Sequence, residues 1–264
     1  MSELVKPETY WLGATTVNWN EMERYLKDTD QESFLEEIAA ARDEGLNDGE
    51  ILCSFYAKAC YAALTTEKNK NISRVRCIND NIIGTINSGH HSVIEHCNLN
   101  FMTRDCSRVF THELVRHRVG SAFSQTSGRY VRADSIGLVY DPILDPAKDE
   151  VIETMELIES QYKKIEKKMD VDNVKNFGVK KKITSAMRRI LPNGQSNEIG
   201  FSLNLRALRH TLEMRTSAHA EWEIRLIFNQ VFDLVEKKYP AIFADAVFET
   251  IDGIRQITFK NSKV

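Results

Sequence analysis

The hydrophobic periodicity of this 264-residue chain predicts an α+β fold with few strands and several long helices. Long segments repeat apolar residues three and four apart, whereas two short segments alternate apolar and polar residues. The 12 glycines and 5 prolines are scattered, with no low-complexity linker and no internal repeat, so residues 1–264 read as a single domain.

Within Asp48–Leu64, Ile51, Leu52, Phe55, Tyr56 and Ala59 recur at helical spacing. Ile72–Ser88 does the same through Val75, Ile78, Ile82, Ile83 and Ile86. Gly89 follows as a cap, because glycine enters the left-handed region without a Cβ penalty. After His96 the period becomes two: Cys97, Leu99 and Phe101 alternate with Asn98, Asn100 and Met102, as in a strand with one buried face. Ser107–Arg116, Val151–Met169 and Val179–Leu191 read as helices, and Pro192 stops the last of them. Ile199, Phe201, Leu203 and Leu205 alternate as a second strand. A long helix over Ala218–Lys238 carries Trp222, Ile227, Phe228, Val231, Phe232 and Val235 as its core stripe. The lysine-rich pieces Lys163–Lys168 and Lys180–Lys182 read as solvated helix faces, and Cys60 as a small packed residue.

Composition narrows the function. Hydrophobic residues at 42% and charged residues at 28% are enough to build and solvate a core. No apolar run approaches the roughly 20 residues of a membrane span, and Met1–Tyr10 lacks a signal-peptide core, so a cytoplasmic protein without a membrane partner is expected. Five cysteines without a CxxC pair argue against a disulfide framework or a zinc site. A net charge of −3 argues against a nucleic-acid partner, so any anion must be held by a local cluster of arginines.

Three segments carry chemistry. Gly89–His96 places three imidazoles, a hydroxyl and a carboxylate between a helix and a strand. His90 and His91 are adjacent and diverge, which favours polar contacts to a cofactor over a metal. Arg116–Tyr130 holds three arginines, a histidine, four hydroxyls besides Tyr130 and two glycines. Guanidinium forks, hydroxyls and glycine-exposed amides together make an anion nest. No Asp or Glu lies between Arg116 and Arg132 to neutralise it. In helical backbone Arg116 and Arg118 would diverge, and in extended backbone they would share a face. Asn204-Leu205-Arg206, His210, Arg215 and His219–Arg225 form the third segment, with Arg206, His210 and Met214 on successive helical turns. Taken together, the segments suggest a ligand with several anionic groups, such as a dinucleotide beside a nucleotide.

The order and content of these blocks resemble the flavin-dependent thymidylate synthases (the ThyX family). That family carries Arg-His-Arg, seven residues, then Ser, continuing to Arg-Tyr; here Arg116-His117-Arg118 precedes Ser127-Gly128-Arg129-Tyr130. Its upstream block matches Gly89-His90 and Glu95-His96, and its downstream block matches Asn204 to Ile224. The resemblance covers about residues 50–240. It implies a domain with a small, mostly antiparallel sheet flanked by long helices, assembled as a homotetramer with FAD and dUMP held between subunits. It also implies NADPH as reductant and methylenetetrahydrofolate as carbon donor. By this resemblance Arg116, His117, Arg118, Ser92, Asn204, Arg206 and His210 contact FAD, with His90 and Glu95 near the flavin. Glu113, Arg116, Gln125, Thr126, Ser127, Gly128, Arg129, Arg188 and Arg215 match the deoxyuridylate site. Arg215 matches the arginine assigned to the uracil ring, where a guanidinium stabilises charge rather than taking a proton. No metal is implied, and no cysteine has to act.

Two departures stand out. Eight residues separate Arg118 from Ser127, and Glu113 stands where the family commonly has glutamine. A carboxylate there repels phosphate but accepts from ribose hydroxyls or from N3–H. This opens a second reading, C5 modification of another pyrimidine nucleotide such as uridylate. A third reading, a non-catalytic nucleotide- or RNA-binding protein, is weakened by the acidic net charge and the few aromatics among the basic residues.

Overall fold

In the computed structural model, which describes residues 3–132 and 137–262, the chain runs through β1 (Leu4–Val5), β2 (Glu8–Ala14), α1 (Trp19–Asp28), α2 (Phe34–Asp43), α3 (Asp48–Ala59) and α4 (Ile78–Asn87). It continues as β3 (Asn98–Ser107), α5 (Arg108–Leu114), β4 (Ser121–Gln125), β5 (Leu138–Val139), α6 (Lys148–Lys168) and α7 (Phe177–Met187). The last third is β6 (Ser196–Asn204), α8 (Leu205–Arg215), α9 (Trp222–Val235), β7 (Ala246–Ile251) and β8 (Ile254–Phe259). The fold is α+β, as the periodicity predicts. Among the described residues no helix is long and apolar enough to cross a membrane.

The main sheet is antiparallel, in the order β2-β3-β6-β4. Its two central strands are the two that sequence alternation predicts. Leu99, Phe101, Ile199, Phe201 and Leu203 are buried, and Asn98 and Asn100 are exposed. Trp11, Phe101, Phe201 and Phe123 lie in register across all four strands. Phe101 and Phe201 stack at 5.3 Å, and Phe201 meets Phe228 of α9 at 6.3 Å, which ties the sheet to the last long helix. A smaller cluster of Leu138, Met155, Tyr162, Val171 and Met187 lies beneath α6 and α7.

Several predicted boundaries shift, each for a local reason. The helix expected over Ile72–Ser88 begins only at Ile78. Cys77 is extended and caps it, and the carbonyl of Arg76 accepts from Lys58 Nζ instead of entering a helical ladder. Its end is as expected: Gly89 has φ +71°, with the His90 N–H on the Thr85 carbonyl and the Gly89 N–H on Ile86. The helix from Asp48 ends at Ala59, because Ala62 turns left-handed at φ +48°. Cys60 is therefore exposed at that cap rather than packed. The helix expected over Val179–Leu191 spans Phe177–Met187, and a 3-10 turn, Arg188–Ile190, leads to Pro192. Leu205 starts α8 rather than ending the strand. The final helix starts at Trp222 because Glu221 accepts from the Glu223 and Ile224 N–H groups.

Arg209 on α8 forms a two-point pair with Asp245 at 2.8 and 3.0 Å, with both side chains buried and the guanidinium 3.9 Å from the Phe259 ring centroid. Burial alone would push the Asp245 carboxyl up, but Arg209 holds it below the usual carboxylate range. Asp245→Asn leaves a buried, unpaired guanidinium and should cost about 3–5 kcal/mol. A urea unfolding midpoint equal to wild type would contradict this.

Candidate active site

The site is built outward from the junction of β3 and α5. Ser107 ends the strand and caps the helix, its Oγ accepting from the Phe110 N–H. Its own N–H donates to Glu223 Oε1 at 2.7 Å, and its hydroxyl donates to Glu223 Oε2. Burial raises the Glu223 carboxyl to about 7, against the lowering effect of the two Ser107 bonds. One side chain of α9 thereby sets where α5 begins.

Helix α5 then presents Glu113, and the turn that follows presents His117. Both meet Arg215 at the end of α8: Arg215 Nη1 donates to Glu113 Oε2 at 3.0 Å, and Nε donates to His117 Nε2 at 2.6 Å. A guanidinium has no acceptor, so Nε2 must be the unprotonated nitrogen and His117 is neutral. Burial, then Arg215 and His210, lowers its pKa to about 4. The His210 ring stands edge-on at 6.1 Å. The two arginines flanking His117, Arg116 and Arg118, lie in the segment between α5 and β4, outside helix and strand. Both are exposed and make no ion pair with the described residues.

The same turn is locked to the start of α8. Asn204 donates its N–H to the Gly120 carbonyl at 2.8 Å and caps α8 through Oδ1 on the Ala207 N–H. Gly120 has φ +68°, and a Cβ there would lie 2.3 Å from Asn204 Nδ2, so both backbone and space require glycine. The additional residue between Arg118 and Ser127 is not taken up as a bulge, because β4 pairs with β6 without a register shift.

Around this frame lie three cavities. One of about 690 Å³ is lined by His90, Ser92 and Arg206, among others, and an adjoining one of about 330 Å³ by Glu95, Asn204, Arg206 and His210. Arg206 and His91 border both. Arg206 pairs with Glu95 at 2.5 Å. The adjacent histidines diverge as expected: His90 is exposed, whereas His91 is buried with Nε2 3.3 Å from the Ile86 carbonyl. A third cavity, about 540 Å³, is lined by Thr126, Gly128 and Arg188. Gln125 anchors its loop by donating to Thr111 Oγ1 at 2.9 Å, and Ser127 Oγ accepts from the Arg129 N–H at 3.3 Å.

Two residues at the site have no role in the sequence reading. Glu223 falls within the third segment there, without a function of its own. Arg108 lines the third cavity, and burial, then Arg188, lowers its pKa. Its signal was there: a cation in the first turn of a helix opposes the helix dipole.

A family model described as thymidylate synthase complementing protein matches residues 44–241. The chain is 33% identical over 195 residues to a flavin-dependent thymidylate synthase of Clostridium tetani, covering 71% of this chain and 78% of that one. It is 32% identical over 215 residues to one from Corynebacterium diphtheriae, covering 79% and 82%, and 33% identical over 212 residues to one from Mycobacterium marinum, covering 78% and 83%. This chain belongs to the flavin-dependent thymidylate synthase family. It is thus an enzyme of the methyltransferase class, and its arginine-rich turn lies inside the matched region.

The titrations of the site have defined signs. His117 has a folded value below the ordinary 6.5, so its stabilising contribution is complete above about 6.5 and is lost as pH falls through about 4. Glu223 is raised from 4.5, so its contribution is complete below about 4.5 and is lost as pH rises through about 7. The ring-proton resonances of His117 should titrate near pH 4; a midpoint near 6.5 would break the neutral-acceptor assignment. Glu223→Gln should flatten the decline of Tm between pH 5 and 7 relative to wild type, and parallel curves would remove Glu223 as the titrating group.

Proposed function

We propose that this single-domain chain acts in the cytoplasm as an FAD-dependent enzyme converting dUMP to dTMP, with methylenetetrahydrofolate as carbon donor and NADPH as reductant. The observation that carries the reading is Arg215, held by Glu113 and neutral His117. It stands where residues matching the flavin contacts meet residues matching the nucleotide contacts.

The residues fit an elongated dianionic cofactor. The two adjoining cavities are bordered by Arg206, His90 and His210, with Glu95 and Glu213 as the carboxylates in the smaller one. His90, Ser92, Glu95, Asn204, Arg206 and His210 would hold FAD from this chain. Arg116 and Arg118 line neither cavity and are unpaired among the described residues, which supports a site completed by a second copy in a homotetramer. Bound flavin supplies the hydride that completes the methyl group.

The third cavity, lined by Thr126, Gly128 and Arg188, is the one we assign to the nucleotide. Arg188 and Arg129 neutralise its phosphate, with Thr126, Ser127 and Gly128 offering hydroxyls and amides. Arg215 uses Nε and one Nη1 hydrogen internally, which leaves its other donors for the uracil ring. A guanidinium holds its protons at neutral pH, so Arg215 favours the ionised N3 and stabilises charge spreading into the ring. His117 and Glu113 keep the fork oriented without moving a proton.

The chain should purify yellow and bind FAD, and Arg118→Ala should weaken that binding by about 1.5–3 kcal/mol. A colourless protein that cannot be reconstituted with FAD would end the reading. Mixing variants altered at Arg118 and at Arg206 should restore some activity through hybrid assemblies, whereas no recovery after verified subunit exchange would place each site within one chain.

Arg215→Lys keeps the charge but loses the fork. It should lower turnover by about 10–100-fold with FAD binding retained, since a charged hydrogen bond contributes about 1.5–3 kcal/mol. Loss of flavin with unchanged turnover per bound flavin would make Arg215 a cofactor ligand instead. The Glu113–Arg215 pair keeps the uridylate reading in play. If dUMP is the substrate, Glu113→Gln should be tolerated or should tighten dUMP binding; if Glu113 selects a ribonucleotide, it should weaken UMP relative to dUMP. Equal preference in both proteins would free specificity from Glu113.

A further inference from the structure

The largest of the three cavities described above carries charge that the proposed roles leave unused. Lys58, Arg74 and Arg76 line it together with His90 and Arg206, and no carboxylate is among its described lining residues. Lys58 is buried at 2% exposure. Its ammonium donates to the Arg76 carbonyl and lies 5.0 Å from the Phe34 ring centroid, without a carboxylate bonded to it. Burial, opposed by Glu37, lowers the Lys58 pKa, the direction expected of an ammonium short of counter-charge.

The two arginines are placed by the same contact. Through the Arg76 carbonyl, Lys58 holds the 72–77 segment out of helix and over the cavity. The Arg76 guanidinium then crosses α4 at its one glycine: a Cβ on Gly84 would come within 3.2 Å of Nη1. Arg74 and Arg76 are both exposed and make no ion pair with the described residues. Three cations converging on a cavity without an acid repel one another until an anion enters, and guanidinium forks match phosphate oxygens in pairs. Tyr61, exposed at the rim, offers a ring on which a base can stack.

We propose that Lys58, Arg74 and Arg76 form a phosphate-binding wall of this cavity, taking the phosphate groups of a dinucleotide. This rests on the reading that the enzyme uses FAD and a nicotinamide reductant, either of which can supply those phosphates. Lys58 lies on α3 and Arg74 and Arg76 on the approach to α4, all outside the three motif blocks.

The test uses R74Q/R76Q, whose exposed positions leave the core intact, beside K164Q/K167Q on α6, which removes the same charge elsewhere. FAD affinity is read by flavin fluorescence, and the reductant by the rate at which NADPH and NADH bleach the bound flavin. If the wall takes the flavin's phosphates, R74Q/R76Q weakens FAD about tenfold or more, and K164Q/K167Q does not. If it takes the reductant's phosphates, FAD binding is kept and flavin bleaching slows about tenfold, with NADPH and NADH alike if the pyrophosphate is held and with NADPH alone if the 2′-phosphate is held. FAD affinity and both bleaching rates unchanged in R74Q/R76Q, or equal losses in K164Q/K167Q, overturn the proposal. Inorganic pyrophosphate titrated by calorimetry separates this from failure of the functional reading. Should the wild type take up no flavin at all, pyrophosphate binding that disappears in R74Q/R76Q sustains the wall, and its absence in the wild type removes it.

Discussion

A buried carboxylate sets the geometry of this enzyme. Glu223 reaches from α9 to both the amide and the hydroxyl of Ser107, and Ser107 is at once the last residue of a central strand and the cap of α5. The position of α5 along β3 is therefore referred to α9, the most apolar helix of the core. Glu113 lies on α5 and His117 just after it, so Arg215 finds its two partners only because that junction holds. The start of α9 is itself secured by Glu221, which caps the Glu223 and Ile224 amides. Two acids in one turn thus order the site without lining its cavities.

The arginines divide by what neutralises them. Arg209 is spent inside the fold on Asp245, and Arg132 on Glu166 and Asp172. Arg215 is shared between an acid and a neutral imidazole, which fixes its direction and leaves donors over. Arg108, Arg116, Arg118, Arg129 and Arg188 have no carboxylate partner among the described residues. A buried two-point pair such as Arg209–Asp245 removes a cation from recognition, because its donors and its field are already used, whereas the exposed one-point Arg206–Glu95 pair leaves donors free. The unpaired set has the fullest capacity for anionic ligands, and Arg74 and Arg76 join it by the same criterion.

Legibility in the sequence followed the strength of local signals. The central strands were readable because both alternate cleanly, and α9 because its apolar stripe is long. Edge strand β4, with its Ser-Ala-Phe-Ser-Gln pattern, buries too little to alternate visibly, and its pairing comes from β6. The β7–β8 hairpin went unread although Asp252-Gly253 marks it: both residues have positive φ, 54° and 74°, as a tight hairpin turn demands. The helix expected from Ile72 failed where a tertiary bond from Lys58 outweighed a local periodic pattern.

By itself, the amino-acid sequence determined the α+β class, the central strands, the glycine cap after α4 and the residue types gathered for anion chemistry. Those features depend on short-range spacing and on backbone freedoms that a residue carries anywhere. Only the tertiary structure decided that Arg215 is bonded to His117 and Glu113, about a hundred residues away along the chain. It also decided that Asn204 presses on Gly120, and that Arg116 and Arg118 stay unpaired while Arg206 does not. Partner choice depends on which side chains the packed sheet and helices bring within a few ångströms, and burial then sets the charge state of the groups brought together.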